Sequence, residues 1–290
     1  MRVLVTGGAG QLGYDVVKEL DKRGHKFLAL DSKACDITDR LDVDYCFNIF
    51  RPDAVIHCAA WTDVNGAESN WQQCMNVNYK GTINVAEAAA KHGAKMLYVS
   101  TDYVFGRRFD DTMEPLPAEP AHYSYAVNTY GASKSMGEAA VRDIVEEHFI
   151  VRISWVFGSN GRNFVRTMLN VAEKHGDPVV VNDQYGRPTY TVDVARLMVD
   201  MIETDKYGTY NASNEGDYVT WFGLAQKIYE ISGKFWMTVK PKMTENDEFS
   251  VAKRQKNSMM DTSKLRLAGF EPLPSWEDAL RRYLEEINEI

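Results

Sequence analysis

Basic charge is in short supply. Of 290 residues, 33 are Lys or Arg and 41 are Asp or Glu, a net charge of −8 at neutral pH. Nucleic-acid binders need a basic footprint against phosphate, so no nucleic-acid partner is expected. Long apolar runs are missing too. No stretch approaches the roughly 18 apolar residues of a membrane helix, so no membrane partner is expected. The chain opens directly on strand-like MRVLVTG with no signal-peptide pattern, which points to the cytoplasm. Cysteine is scarce: Cys35, Cys46, Cys58 and Cys74 form no C-x-x-C pair. They read as reduced thiols, and no metal site is expected. Proline is scarce as well, yet Pro115, Pro117 and Pro120 crowd into 106–123, which reads as an exposed loop.

What remains is ordinary globular material, 44% apolar and 26% charged. Short apolar runs alternate with helical patterns. Strands are expected at Val3–Thr6, Lys26–Leu30, Ala54–His57, Lys95–Val99 and Phe149–Ile153. Helices are expected at Gln11–Arg23, Asn76–His92 and Val127–Glu147, then at Phe164–Lys174, Val192–Glu203 and Trp221–Ser232. Strands of this length, each followed by a helix, call for a parallel sheet covered on both faces. The fold class is α/β, a Rossmann-type doubly wound parallel sheet with a smaller C-terminal substrate lobe. Residues 1–155 plus about 188–213 would make the dinucleotide-binding domain; about 156–187 plus 214–290 would make the lobe.

The first strand runs into TGGAGQLG. Gly7, Gly10 and Gly13 give one glycine fingerprint, and Gly8, Gly10 and Gly13 give another. Either permits a tight turn and close approach of backbone to a pyrophosphate seated on a helix N-terminus. Asp31 ends the second strand, 18 residues after Gly13, where a carboxylate can accept ribose hydroxyls. That favours NADH; Lys33 nearby leaves room for NADPH. Further on, NTYGASKSMGE places Tyr130 and Lys134 one helical turn apart. A phenol titrating near pH 10 needs help to exchange protons at neutral pH, and a cation beside it would lower that value.

The glycine turn and the Y-x-x-x-K pair together resemble the extended short-chain dehydrogenase/reductases. GQLG at 10–13, DITD at 36–39, VIHCAA at 55–60, YVSTDYVF at 98–105, RISWVFG at 152–158 and DQYGRPTY at 183–190 narrow this. They resemble the dTDP-4-dehydrorhamnose reductase family. The resemblance implies NAD(P)H-dependent reduction of a 4-keto sugar nucleotide in dTDP-rhamnose biosynthesis, and it allows a homodimer. It implies that Gly7, Gly10, Gln11, Leu12 and Gly13 hold the pyrophosphate, that Asp36 and Ile37 flank the adenine, and that Ala59, Ala60 and Thr62 line the cofactor. Thr101, Tyr130 and Lys134 would be catalytic; Val64, Asp102, Tyr103 and Trp155 would face the sugar.

Where dehydratases of the superfamily carry Asp-Glu, this chain has Asp102-Tyr103, which argues against dehydration. Asn65-Gly66, Gly106-Arg107 and Gln255-Lys256 depart from the family's Asp-Lys, Asp-Gly and Arg-Pro patterns, and Asp15 stands where a metal-binding Glu is usual. These departures leave the exact sugar open. A 4-epimerase, a reductase of another keto-sugar and a nucleotide-binding regulatory subunit are the alternatives. His57 reads as a packed core residue, Trp155 as core or sugar face. Gln184 and Arg187 would orient the lobe or form a polar turn. Lys253, Arg254 and Lys256 would meet a diphosphate or form a solvated charge run.

Overall fold

A computed structural model describes residues 1–106, 114, 126–174, 176–247 and 250–290. Most of the 106–123 loop therefore lies outside the described residues. The chain begins β1 (Arg2–Thr6), α1 (Gln11–Lys22), β2 (Lys26–Leu30), α2 (Arg40–Phe50) and β3 (Ala54–His57). Short helices α3 (Val64–Ser69) and α4 (Trp71–Met75) lead through a π-helical turn at Asn76–Gly81 into α5 (Thr82–His92). Next come β4 (Lys95–Thr101), a 3-10 turn at Asp102–Val104, α6 (Thr129–Ile144) and β5 (His148–Ile153). The second half holds β6 (Val156–Phe157), α7 (Phe164–Glu173), β7 (Val179–Val181), β8 (Tyr185–Gly186), β9 (Thr189–Tyr190) and α8 (Thr191–Ile202). It continues with β10 (Gly208–Asn211), β11 (Val219–Thr220), α9 (Trp221–Ile231), β12 (Lys240–Lys242), β13 (Asn257–Ser258), α10 (Ser263–Leu267) and α11 (Trp276–Glu286).

Six strands form one parallel sheet in the order β10-β5-β4-β3-β1-β2. From β1 the chain first builds outward to β2, then returns to lay β3 on the other side. That reversal opens a crevice at the carboxyl ends of β1 and β3, where open α/β sheets bind ligands. Both faces are covered. Leu12, Val16 and Leu20 repeat every four residues on α1 and pack with α8 on one face. Val43 and Phe47 of α2, Val85 and Ala89 of α5, and Val141 of α6 cover the other.

A separate apolar cluster joins α7, α9 and α11 around Phe157, Leu169, Ile228 and Tyr283. Two-stranded ladders β12-β7 and β6-β9 and the three-stranded β11-β8-β13 lie beside it. Helices α2 and α11 and the edge strand β10 go beyond the elements that the sequence pattern predicts. The expected helix over Asn76–His92 begins as a π turn, and at its end Ile37 packs 2.8 Å from where a Cβ on Gly81 would stand.

Candidate active site

The glycine turn closes on itself. Gly10 N–H donates to Gly7 O at 2.9 Å, and a Cβ on Gly13 would lie 2.2 Å from that same oxygen. Gly7 has φ +67° and faces Ala59 N at 2.7 Å from a hypothetical Cβ. Only glycine fits at these two positions. Gly8 instead packs on Ala29 of β2. Gly10 caps α1 without a side chain, so the backbone donors of the helix's first turn face the crevice uncapped. This cradle fits a dinucleotide pyrophosphate.

At the far end of the crevice, Asp31 accepts backbone N–H bonds from Lys33 (3.0 Å) and Ala34 (2.9 Å). The Ala34 and Lys33 bonds hold its carboxyl below the usual range. Asp36 accepts from the Thr38 backbone and hydroxyl, and Ile37 O accepts from Asn84 Nδ2 at 2.9 Å. On the β3 side, Asn78 takes Trp61 N–H at 2.7 Å and donates to Trp61 O at 3.1 Å. That pins the strand-to-helix loop carrying Ala59, Ala60 and Thr62.

The α6 helix starts at Asn128, whose side chain accepts from Gly131 N–H at 2.8 Å. It then presents Tyr130, Lys134 and Glu138 at four-residue spacing along one stripe. Gly131 and Gly137 let it lie close: a Cβ there would meet Tyr103 O at 2.5 Å and Tyr98 Oη at 2.2 Å. Thr101, at the end of β4, donates to Asp102 Oδ1 at 2.9 Å. Lys134 is buried, and its ammonium sits 3.9 Å from the centroid of the Tyr98 ring.

One expectation needs correcting here. Lys134 was expected to bring the Tyr130 phenol down. Instead the phenol is pushed up, first by burial and then by the Asp102 carboxylate, while Thr101 hydrogen bonding pulls the other way. The Lys134 head is over Tyr98, and burial brings Lys134 itself down to about 7. Tyr130 is therefore held in its proton-bearing form.

The remaining wall comes from the second half of the chain. Trp155 has φ +49° and its ring stacks on Trp221 at 3.8 Å. A Cβ on Gly186 would touch it at 2.9 Å, so the strained backbone is clamped from two sides. Of the basic cluster, only Arg254 faces the cavity; it donates to Tyr103 Oη (3.2 Å) and Asn65 Oδ1 (2.9 Å). Lys256 pairs with Asp183 instead. Gln184 lines the cavity and donates to Thr244 Oγ1, whereas Arg187 is buried and donates to Met260 O. His57 is a core residue, hydrogen-bonded to Thr6 and Thr82, and burial lowers its pKa to about 3.

A single cavity of about 920 Å³ runs from Asp31 past the glycine turn to Trp155 and Trp221. All eighteen sequence-derived candidates line it: Gly7, Gly10, Gln11, Leu12, Gly13, Asp31, Asp36, Ile37, Ala59, Ala60, Thr62, Val64, Thr101, Asp102, Tyr103, Tyr130, Lys134 and Trp155. Missed from sequence were Arg162, Gln184 as a wall residue, Trp221 and Ser258, which reach the cavity from distant parts of the chain together with Gln255. A side pocket of about 450 Å³ adjoins it, sharing Tyr103, Gln184, Trp221 and Arg254.

Comparison with known proteins agrees with this architecture. A dTDP-4-dehydrorhamnose reductase of Mycobacterium tuberculosis is 38% identical over 282 residues, covering 96% of this chain and 91% of that protein. The solved dTDP-4-dehydrorhamnose reductase of Bacillus anthracis, in complex with NADP, shares 38% identity and superposes with a TM-score of 0.90 over 98% of each chain. An ortholog structure from Clostridium acetobutylicum, 34% identical, gives 0.93 over 99% of this chain and 100% of that one. The family model described as the RmlD substrate binding domain matches residues 1–289. From the glycine turn to the last helix, this chain belongs to the RmlD substrate-binding-domain family.

Proposed function

We propose that this chain reduces the 4-keto group of dTDP-4-dehydro-L-rhamnose to give dTDP-L-rhamnose. The observation that carries the reading is the convergence of Thr101, Tyr130 and Lys134 in the cavity, between the glycine cradle and the aromatic wall. A bound nicotinamide dinucleotide, NADH or NADPH, supplies the hydride. The cradle Gly7–Gly13 would hold its pyrophosphate, and Asp31 its ribose. Thr101 lies at the carbonyl oxygen, its hydroxyl oriented by Asp102. Tyr130, kept protonated by burial and by Asp102, gives its proton to that oxygen as the carbonyl becomes an alcohol. Lys134 then offsets the charge left on the phenolate. Trp155 and Trp221 offer apolar faces to the sugar nucleotide, and Arg254 a cation for its phosphates. The lobe built on α7, α9 and α11 would present these groups, and residues 1–155 with about 188–213 would present the dinucleotide.

The test is oxidation of reduced nicotinamide with dTDP-4-dehydro-L-rhamnose generated in place, beside a Tyr130→Phe control. We expect turnover in the wild type and a loss of roughly a hundredfold or more in the control. Dinucleotide binding without turnover would point to a different keto-sugar, consistent with the departures at Asn65 and Gln255, or to the regulatory reading. Full activity in Tyr130→Phe would sink the proton-donor role.

Coenzyme choice is a separate prediction. A carboxylate fixed by two backbone N–H bonds repels a 2′-phosphate, so kcat/KM should favour NADH over NADPH. Asp31→Asn removes the charge and should move that ratio toward NADPH by on the order of tenfold. An unchanged ratio would mean that Asp31 does not face the 2′ position.

A further inference from the structure

The buried wall of the cavity carries a polar side chain that the proposed chemistry has not used. Gln255 is 3% exposed and reaches Asp102 from the segment before β13. Its Nε2 donates to Asp102 Oδ2 at 2.8 Å and to Ser258 Oγ at 3.0 Å. Asp102 is itself 2% exposed, and its other oxygen takes the Thr101 hydroxyl. With its proton committed to Asp102, Thr101 presents a lone pair to the Tyr103 N–H at 3.3 Å.

We propose that Gln255 is a positioning residue for this reaction: its amide keeps Asp102 a charged acceptor, which fixes the direction of the Thr101 hydroxyl at the end of β4. A protonated Asp102 would become a donor. Thr101 would then face only an uncharged, weaker acceptor in Oδ1, and Tyr130 would lose the negative charge that keeps its proton in place.

The surroundings of Asp102 make the amide matter. Burial pushes its carboxyl up, and hydrogen bonds from Ser258, Thr101 and Gln255 pull it down. Those donors are neutral. The nearest cation of the same segment, Arg254, bonds to Tyr103 and Asn65; on α6, Lys134 lies over Tyr98. Removing one donor from a buried carboxylate therefore shifts its titration upward.

The inference rests on the reductase reading for its kinetic arm, so a second readout is taken on the resting protein. The pH dependence of kcat/KM is measured between about pH 5 and 9 for wild type, Gln255→Met, Asp102→Asn and the double variant. The acid limb should move up by about one pH unit in Gln255→Met. It should be missing in Asp102→Asn, where adding Gln255→Met should change little further. A pH-independent loss in Gln255→Met, or the same loss in the Asp102→Asn background, would overturn the proposal and leave Gln255 as packing alone.

The second readout is the side-chain carboxyl NMR titration of Asp102, assigned by its disappearance in Asp102→Asn. It should shift to higher pH in Gln255→Met. It should also shift in Gln255→Asn, which keeps the amide but shortens its reach and serves if the methionine variant fails to fold. A titration that stays put would refute the proposal whatever the substrate. A shift without turnover of the keto-sugar in wild type would uphold it and fault the reductase reading instead.

Discussion

Lys134→Met should abolish turnover, by about three powers of ten or more, in a protein that is harder to unfold than the wild type at pH 7. The activity loss follows from the loss of the cation that offsets phenolate charge as Tyr130 releases its proton; positioned proton-transfer machinery contributes up to about 10⁴-fold. The stability gain follows from burial. Lys134 is 3% exposed, and burial lowers its pKa to about 7. Glu138 pulls the other way and does not restore the ordinary value. Between about pH 7 and 10.5 the unfolded chain holds a proton on Lys134 that the folded chain does not. Stability contributed by this group therefore rises with pH across that window and is flat below it. Methionine fills nearly the same volume with no charge to desolvate. Urea unfolding at pH 7 should favour the variant by on the order of 1–3 kcal/mol. The gap should narrow toward pH 10 as the wild type gains. A gap that widens with pH, or a variant less stable at every pH, would place the lysine charge outside the apolar interior.

The fold was legible where the chemistry of the chain is local. Lys26–Leu30 and Ala54–His57 are strands at the limits read from sequence, because each is a short apolar run closed by a turn signal. The glycine turn was legible because crowding at Gly7 and Gly13 excludes every other residue. The Tyr130–Lys134 spacing was legible because helical geometry alone puts both on one stripe. Helix α2 was not, since its outward face carries Leu41, Tyr45 and Ile49, all exposed, which blurs the amphipathic pattern.

In the site, what escaped the sequence is what arrives by tertiary contact. Gln255 touches Asp102 across 153 positions, and Arg254 touches Asn65 across 189. No periodicity encodes such a meeting. The departures at Asn65 and Gln255 marked the right places without revealing their partners. The direction of the Tyr130 shift escaped for a related reason. Spacing on a helix says that Tyr130 and Lys134 share a face, yet the ring of Tyr98 on β4 decides where the ammonium head rests.

The same α6 stripe continues to Glu138, and Glu138→Ala should cost about 3–5 kcal/mol of folding stability. Arg152 of β5 is fully buried and meets Glu138 through two bonds, Nε to Oε1 at 2.8 Å and Nη2 to Oε2 at 2.7 Å. Arg142 adds a third at 2.6 Å, and Ser100, next to Thr101 on β4, adds a fourth at 2.6 Å. Burial raises the Glu138 carboxyl, but Arg152, Arg142 and Ser100 outweigh it and leave its pKa lowered. Alanine would take from the guanidinium of Arg152, buried against Phe105, the carboxylate that holds it by two bonds. Because the folded-state value is depressed, the stability contributed by Glu138 is present above about pH 4.5 and is lost as pH falls through the folded value. The wild type should therefore lose stability in acid more steeply than Glu138→Ala. The double change Glu138→Met with Arg152→Met should recover part of the loss, since it removes both charges and keeps the volume. Urea titrations of the three proteins at pH 7 and pH 4 provide the measurement. A single variant as stable as wild type would mean that water reaches Arg152. Turnover offers the complementary view: Glu138 ties the helix that carries Tyr130 and Lys134 to the strand that ends in Thr101. Folded Glu138→Ala at low temperature should then show a lowered kcat, through misplacement of all three groups rather than loss of any one.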